Sequence, residues 1–308
     1  MKKQPQIISD VPVAGKSVLV RGDLEFSEKD SPRGRTIDEL VGYLKDHGAW
    51  RIKVIGHKGR EEMTMWWPEV AVEWDIRKDP REQADDAGLA REWAEGWEIY
   101  VDEAFGTAHR KHASVDALPR YMKERGDAVA MGIRFAKETS QLSEVLVRTG
   151  KKVLVIGGAK AEDKAGYARE LAGKFDQVLV GGLLPEQILS SHSEVTKNVI
   201  LAKLRDDGLD IDDESIQLFK EETADAAVVV VAGPMGKFEE VSAQKGTREV
   251  LGAVVSSQAY RVAGGGNTEE ALQLFGLTAE FDWVSVGGGA MCEFLVAGTL
   301  PGIEALVE

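Results

Sequence analysis

The chain of 308 residues is 43% hydrophobic and 29% charged, enough to bury sizeable cores and to divide into two domains of ordinary size. Its formal net charge of -14 works against a nucleic-acid partner, which needs a broad cationic face, yet leaves room for small phosphorylated ligands held by a local cluster of Arg and Lys. A single cysteine, Cys292, excludes an internal disulfide framework.

No apolar run nears the ~18 residues of a membrane helix, and the N-terminal segment lacks the apolar core of a signal peptide, so a cytoplasmic protein away from membranes is expected. In chain order, short β-branched runs recur at SVLVRGD (17–23), RIKVIGH (51–57), WEIYVDEAF (97–105), KVLVIGG (152–158) and QVLVGG (177–182). AAVVVVAG (226–233), AYRVAGGG (259–266) and DWVSVGGG (282–289) continue the series. Amphipathic stretches such as Thr36 to His47 and Asp163 to Lys174 lie between them. Repeated βαβ units of this kind predict an α/β fold of parallel sheets flanked by helices on both faces. A helix-like stretch from Glu138 to Arg148 is the predicted boundary between two domains.

Glycine-rich turns follow several of these runs: Gly157-Gly158-Ala159-Lys160, Gly181-Gly182, Gly233-Pro234-Met235-Gly236, Gly264-Gly265-Gly266-Asn267-Thr268 and Gly287-Gly288-Gly289. Glycine lets backbone N–H groups face an anion without a Cβ in the way, and a following helix adds its positive N-terminal end. In open α/β sheets ligands bind at the carboxyl ends of strands, where these turns fall. Neither common nucleotide fingerprint is present: no strand is followed by G-x-G-x-x-G with an acidic residue ~20 positions on, and Gly236-Lys237 is followed by Phe238 rather than Ser or Thr. The histidines His47, His57, His109, His112 and His192 form no metal-ligand spacing with cysteine.

Val101-Asp102-Glu103-Ala104-Phe105-Gly106-Thr107-Ala108-His109-Arg110, GGAKAEDK (157–164), GPMGKFE (233–239), GGGNT (264–268) and SVGGGAMCEFLVAGTLPG (285–302) together resemble the phosphoglycerate kinase family, in that family's order and over nearly the whole chain. The resemblance implies two Rossmann-like domains joined by a hinge helix, with the C-terminal helix returning to the first. Residues 1–137 with 290–308 would bind glycerate and 138–289 nucleotide. It further implies reversible phosphoryl transfer between 1,3-bisphosphoglycerate and Mg-ADP, giving 3-phosphoglycerate and ATP, by a monomer that takes Mg²⁺ with its nucleotide.

Carried over residue by residue, Arg21, Asp23 and Glu25 match the family's R-V-D-F-N, His57 and Arg60 its S-H-x-G-R, Arg77 its E-N-x-R-F and Arg110 its A-H-R. Arginines converging on a three-carbon anion give bidentate, always-charged contacts, which supports this set as the substrate site. Arg35, with Arg33 as rival, is the candidate for the arginine that meets the transferring phosphoryl group. Lys160 and Lys164 match the two lysines of G-G-A-K-V-S-D-K, and Gly157, Gly158, Gly181, Gly182, Gly208, Pro234, Glu239, Gly265, Gly266, Asn267 and Thr268 would hold nucleotide. Lys160 with the Gly287, Gly288 and Gly289 amides would stabilise the phosphoryl group in flight.

The sequence departs from the family at Asn267, where the family has the aspartate that meets Mg-nucleotide, and at Ala232, Val286 and Glu25. Two other readings therefore stand beside phosphoglycerate kinase: a related kinase with another carboxylate acceptor, and a non-catalytic nucleotide or phosphometabolite binder.

Overall fold

The computed structural model describes residues 4–159, 162–190 and 196–307, with the side chains of 162 and 163 excepted. The chain forms two compact units, Met1–Ser140 with Thr299–Glu308, and Gln141–Gly298.

In the first unit the strands are β1 (Ser17–Arg21), β2 (Arg51–Ile55), β3 (Ala71–Glu73), β4 (Ile99–Asp102) and β5 (Ala128–Met131). Its helices are α1 (Pro32–Asp46), α2 (Met63–Trp66), α3 (Pro80–Gln83), α4 (Ala87–Ala94), α5 (Ala117–Arg125) and α6 (Ile133–Val147). The strands pair in the order β3-β2-β1-β4-β5, all parallel.

The second unit contains β6 (Lys152–Ile156), β7 (Gln177–Val180), β8 (Val199–Leu201), β9 (Val228–Ala232), β10 (Tyr260–Gly264) and β11 (Trp283–Ser285). Between and after them come α7 (Glu162–Leu171), α8 (Leu184–Ser190), α9 (Asp213–Ala224), α10 (Lys245–Ser256), α11 (Gly266–Leu274) and α12 (Gly288–Ala297). The order is β11-β10-β9-β6-β7-β8, again parallel throughout. Each sheet is thus doubly wound, with the chain reversing direction across the sheet between β1 and β4 in one unit and between β6 and β9 in the other. Such switch points open a crevice beyond the strands' carboxyl ends.

The central strands carry little but β-branched and aliphatic side chains because both faces are covered: SVLVR in β1 and VVVVA in β9 are buried at every position. Helix α1 shows how the covering is built. Ser31 caps it by accepting the Gly34 amide (3.1 Å), and Pro32 opens the first turn. Ile37, Leu40, Val41 and Leu44 then form one buried stripe against Val18, Val20 and Val54.

Three strands escape the sequence pattern, β3 and β8 because three residues carry no readable alternation, and β5 because AVAM lacks β-branched weight. Helix α6 also begins earlier than its local sequence suggests, at Ile133. The cause is tertiary: the Glu103 carboxyl group, just beyond β4, accepts the Arg134 and Phe135 amides at 3.0 Å each and closes the first turn. From there α6 runs out of the first unit into the second. Helix α12 stays with the second unit, so the return to the first starts at Thr299 rather than near 290. It is made by α13 (Pro301–Val307), whose Gly302 amide donates to the Ala108 carbonyl (2.9 Å) while Lys123 Nζ reaches the Leu306 carbonyl (3.0 Å).

Two tests follow from these contacts. A Cβ at Gly157 would stand 2.2 Å from the Pro234 carbonyl oxygen, so Gly157→Ala should lower the unfolding free energy by about 1–3 kcal/mol. Gly42→Ala on α1, where a Cβ meets nothing within 4 Å, should raise it by about 0.5–1 kcal/mol in the same urea titration.

Burial pushes the Glu103 carboxyl up from 4.5 to about 8. A carboxyl that keeps its proton longer in the folded state adds stability below pH 4.5 and loses it as pH rises through 8. Glu103→Gln should therefore lower stability overall but flatten its decline between those limits, as read by thermal melts; an unchanged slope would refute the assignment.

Candidate functional site

In the first unit the switch point gathers positive charge. Arg21 ends β1 and has no exposed surface. Its Nε donates to Ser114 Oγ (2.9 Å), its Nη1 to the Gly22 carbonyl and its Nη2 to His57 Nδ1 (2.9 Å). The structure thus sets Arg21 behind His57, engaged entirely by protein. His57 is nearly buried, and burial together with the charges of Arg21, Arg77, Lys58 and Arg110 drives its pKa down to about 2, so the ring is neutral.

Arg77 and Arg110 complete the cluster. The Nε and Nη2 of Arg77 are buried without a hydrogen-bond partner, and its pKa is lowered by burial and by Arg110 and Arg21. A guanidinium edge in that condition calls for an anion. Arg110 is exposed and its Nε donates to His109 Nε2 (3.2 Å). Arg60 is exposed, its Nη1 3.7 Å from Glu62 Oε1.

The carboxylates sit on the open side. Asp23 is largely buried; it accepts the Glu25 amide (3.3 Å) and faces Arg33 Nε at 3.4 Å. Glu25, the odd residue of the set, is neutralised by Lys58 Nζ at 2.6 Å, with Arg33 Nη1 at 4.0 Å and His57 Nε2 at 3.8 Å. Lys58 has a left-handed backbone (φ 53), and its amide donates to Asp75 Oδ1 (3.3 Å). Arg33 thus lies beside Asp23 and Glu25, whereas Arg35 is exposed and donates to the Asp30 carbonyl (2.5 Å).

Sequence reasoning missed the buried support beneath this cluster. Glu82, fully buried in α3, accepts the Ser114 amide (2.8 Å) and the Ser114 hydroxyl (2.6 Å), and lies 3.7 Å from His112 Nδ1. Burial and the neighbouring Arg77, Arg110 and Arg21 lower the His112 pKa to about 4. The signal available was weak, since Glu82 stands in the polar run KDPREQADD, which reads as surface.

In the second unit Lys164 occupies the switch point. Its ammonium donates to the Gly157 (2.8 Å) and Ala232 (2.9 Å) carbonyls, at the ends of β6 and β9, and burial lowers its pKa. Lys160 lies outside the described residues. Beside Lys164 opens a cleft of about 280 Å³ walled by Gly158, Gly182, Gly208, Pro234, Glu239 and Asn267, with Leu183, Leu204, Leu209 and Met235 supplying apolar surface. The first six were expected from the sequence; the apolar wall was not, because leucines between strands and helices look like ordinary core. Gly181 lies one step behind the wall, its amide on the Ile156 carbonyl (2.9 Å).

Helices α11 and α12 start side by side here, following Gly265 and Gly287. A Cβ on Gly288 would come within 2.7 Å of the Gly265 Cα, so glycine permits the approach. Gly265 and Gly287 have no side chain to cap the first turn, which leaves the amides around Gly266 and Gly289 for a ligand. Thr268 is buried and spends its hydroxyl on the Gly264 carbonyl (2.9 Å). Among the described residues no three His, Cys, Asp or Glu side chains gather as metal ligands. No single described helix is long and apolar enough to cross a membrane.

A family model described as "Phosphoglycerate kinase" matches residues 68–203 and 189–298. A phosphoglycerate kinase of Herpetosiphon aurantiacus is 33% identical over 394 aligned residues, covering 98% of this chain and 98% of that relative. One from Roseiflexus castenholzii is 31% identical, covering 97% and 98%. These alignments are longer than this chain of 308 residues, which therefore lacks stretches present in its relatives. Among solved structures, phosphoglycerate kinase from Pyrococcus horikoshii superposes with a TM-score of 0.80 at 21% identity, and that from Coxiella burnetii with 0.78 at 24%, each covering 98% of both chains. Fold and sequence together define a phosphotransferase of the class whose acceptor is a carboxyl group. The chain belongs to the phosphoglycerate kinase family.

Proposed function

We propose that this chain transfers a phosphoryl group reversibly between 1,3-bisphosphoglycerate and Mg-ADP, giving 3-phosphoglycerate and ATP, in the cytoplasm and as a monomer. The first unit holds the glycerate and the second the nucleotide. The observation that carries the acceptor site is the buried, unsatisfied edge of Arg77 beside Arg110 and His57. Arg33 takes the place near the transferring group for which Arg35 was the first candidate, since it already lies among the carboxylates. A carboxylate at Glu25 would by itself repel an anionic acceptor, and its pairing with Lys58 offsets that charge.

In the second unit the leucine-lined cleft suits an adenine, Glu239 at its rim suits ribose hydroxyls, and the first turns of α11 and α12 suit phosphate oxygens. Attack by the acceptor carboxylate oxygen on the γ-phosphorus forms one P–O bond as the bond to ADP breaks. The protein's work is positioning and charge stabilisation, shared by the open amides at α12, by Lys160 and by Arg33. Asn267 is an amide on the cleft wall and, among the described residues, no carboxylate cage accompanies it, so the donor set fits Mg²⁺ carried mainly by phosphates and water. That ion, when bound, neutralises charge on the nucleotide's phosphates.

A coupled assay with 3-phosphoglycerate and Mg-ATP tests the reading directly. Arg77→Ala should raise the KM for 3-phosphoglycerate by about 10–100-fold, the loss of a charge-assisted contact, while the KM for Mg-ATP holds within about twofold. No turnover by the wild-type chain, with nucleotide still bound, would overturn the kinase in favour of the binder. Asn267→Asp restores the charge that a hard cation favours and should tighten Mg-ADP by about threefold or more in calorimetry; an unchanged affinity would remove Asn267 from the nucleotide site.

A further inference from the structure

Beside Arg77 and His57 runs a buried chain of hydrogen bonds made between protein groups. Glu82 receives both the amide (2.8 Å) and the hydroxyl (2.6 Å) of Ser114. With its proton committed to Glu82, Ser114 Oγ presents lone pairs to Arg21 Nε at 2.9 Å, and Tyr100 Oη pins the Ser114 carbonyl at 2.6 Å. Arg21 passes the order on through Nη2 to His57 Nδ1 at 2.9 Å. Glu82, Ser114 and Arg21 are all fully buried, so each bond is made in low dielectric with no water to replace it.

The direction of donation along this chain is fixed by chemistry. A guanidinium has donors only, so the His57 nitrogen it faces must be an acceptor and the ring proton must sit on Nε2. That proton looks outward, and the nearest acid in its path is the Glu25 carboxylate at 3.8 Å. An oxyanion of the substrate arriving on this side meets a prepared donor rather than a ring free to present a lone pair.

We infer that Glu82 and Ser114 are positioning residues: they hold Arg21 so that His57 is kept as a neutral Nε2–H donor toward the acceptor's carboxylate or phosphate. The buried Glu82 carboxyl group also opposes the crowding of charge at Arg77, which Arg110 and Arg21 repel. The role toward the acceptor rests on the kinase reading; the tautomer of His57 does not, and the two can be separated.

The experiment is nitrogen-15 NMR of the histidine rings in the full chain without ligand, paired with steady-state kinetics. In the wild-type protein His57 should show one neutral tautomer, protonated at Nε2 and unchanged from about pH 5 to 8. Ser114→Ala should turn this signal toward a mixture of tautomers and raise the KM for 3-phosphoglycerate by about 5–20-fold, with kcat within about twofold. Glu82→Gln should do the same, and it keeps the test open if one of the two variants fails to fold. Protonation at Nδ1 in the wild type, or variants that lose stability with the tautomer and the KM ratio untouched, would overturn the inference. Wild-type protein that shows the expected tautomer but no turnover would overturn the kinase reading alone.

Discussion

Arg21 is a permanently charged side chain with no surface, set at the carboxyl end of a central strand. A buried guanidinium is tolerable only when every direction it points in holds an acceptor, and this requirement organises the first unit. Gly22, Ser114 and His57 surround it, Glu82 lies behind Ser114, and the fully buried Asp102 ends the neighbouring strand β4, its carboxyl pushed up to about 7 by burial. These groups come from five separate stretches of chain. The charge therefore acts as a rivet through the switch point, and the ligand-facing residues are mounted on its outer side.

The two units share one topology and use it for different chemistry. At each reversal of strand order the parallel sheet leaves carbonyl ends and a crevice, and in each unit a cation is set there: the fully buried Arg21 in the first, the part-buried Lys164 in the second. Around Arg21 the walls are charged and the edge left open belongs to Arg77. Around Lys164 the walls are backbone, because glycines let strand-end turns press against one another and let α11 and α12 begin side by side. A planar, fork-shaped anion is suited by the one and a chain of phosphates attached to a flat base by the other.

Most of the sheet framework was legible in the sequence because buried parallel strands leave an unbroken β-branched run followed by glycine. The short strands β3, β5 and β8 were not, since three or four residues carry no period of their own. Arg33 and Arg35 differ in helix phase. Ser31 and Pro32 set the start of α1, and residues two apart on a helix point ~200° away from each other, so only one could face Asp23 and Glu25. Glu82 was invisible for a plainer reason: a glutamate in a polar run gives no sign that the fold has turned it inward against Ser114. The start of α6 was hidden likewise, its cap being supplied by Glu103 from another element.

The packing of α13 imposes an order on biosynthesis. Its Gly302 and Leu306 are bonded to Ala108 and Lys123, in the segment that carries Arg110 and in the helix behind it. The second unit is continuous in the chain, so its contacts can all form as soon as it leaves the ribosome. The first unit, although most of it is translated earlier, waits for residues 299–307 before the loop that carries Arg110 gains this backing. A nascent chain released just short of Thr299 would carry a finished second unit and an unfinished first one.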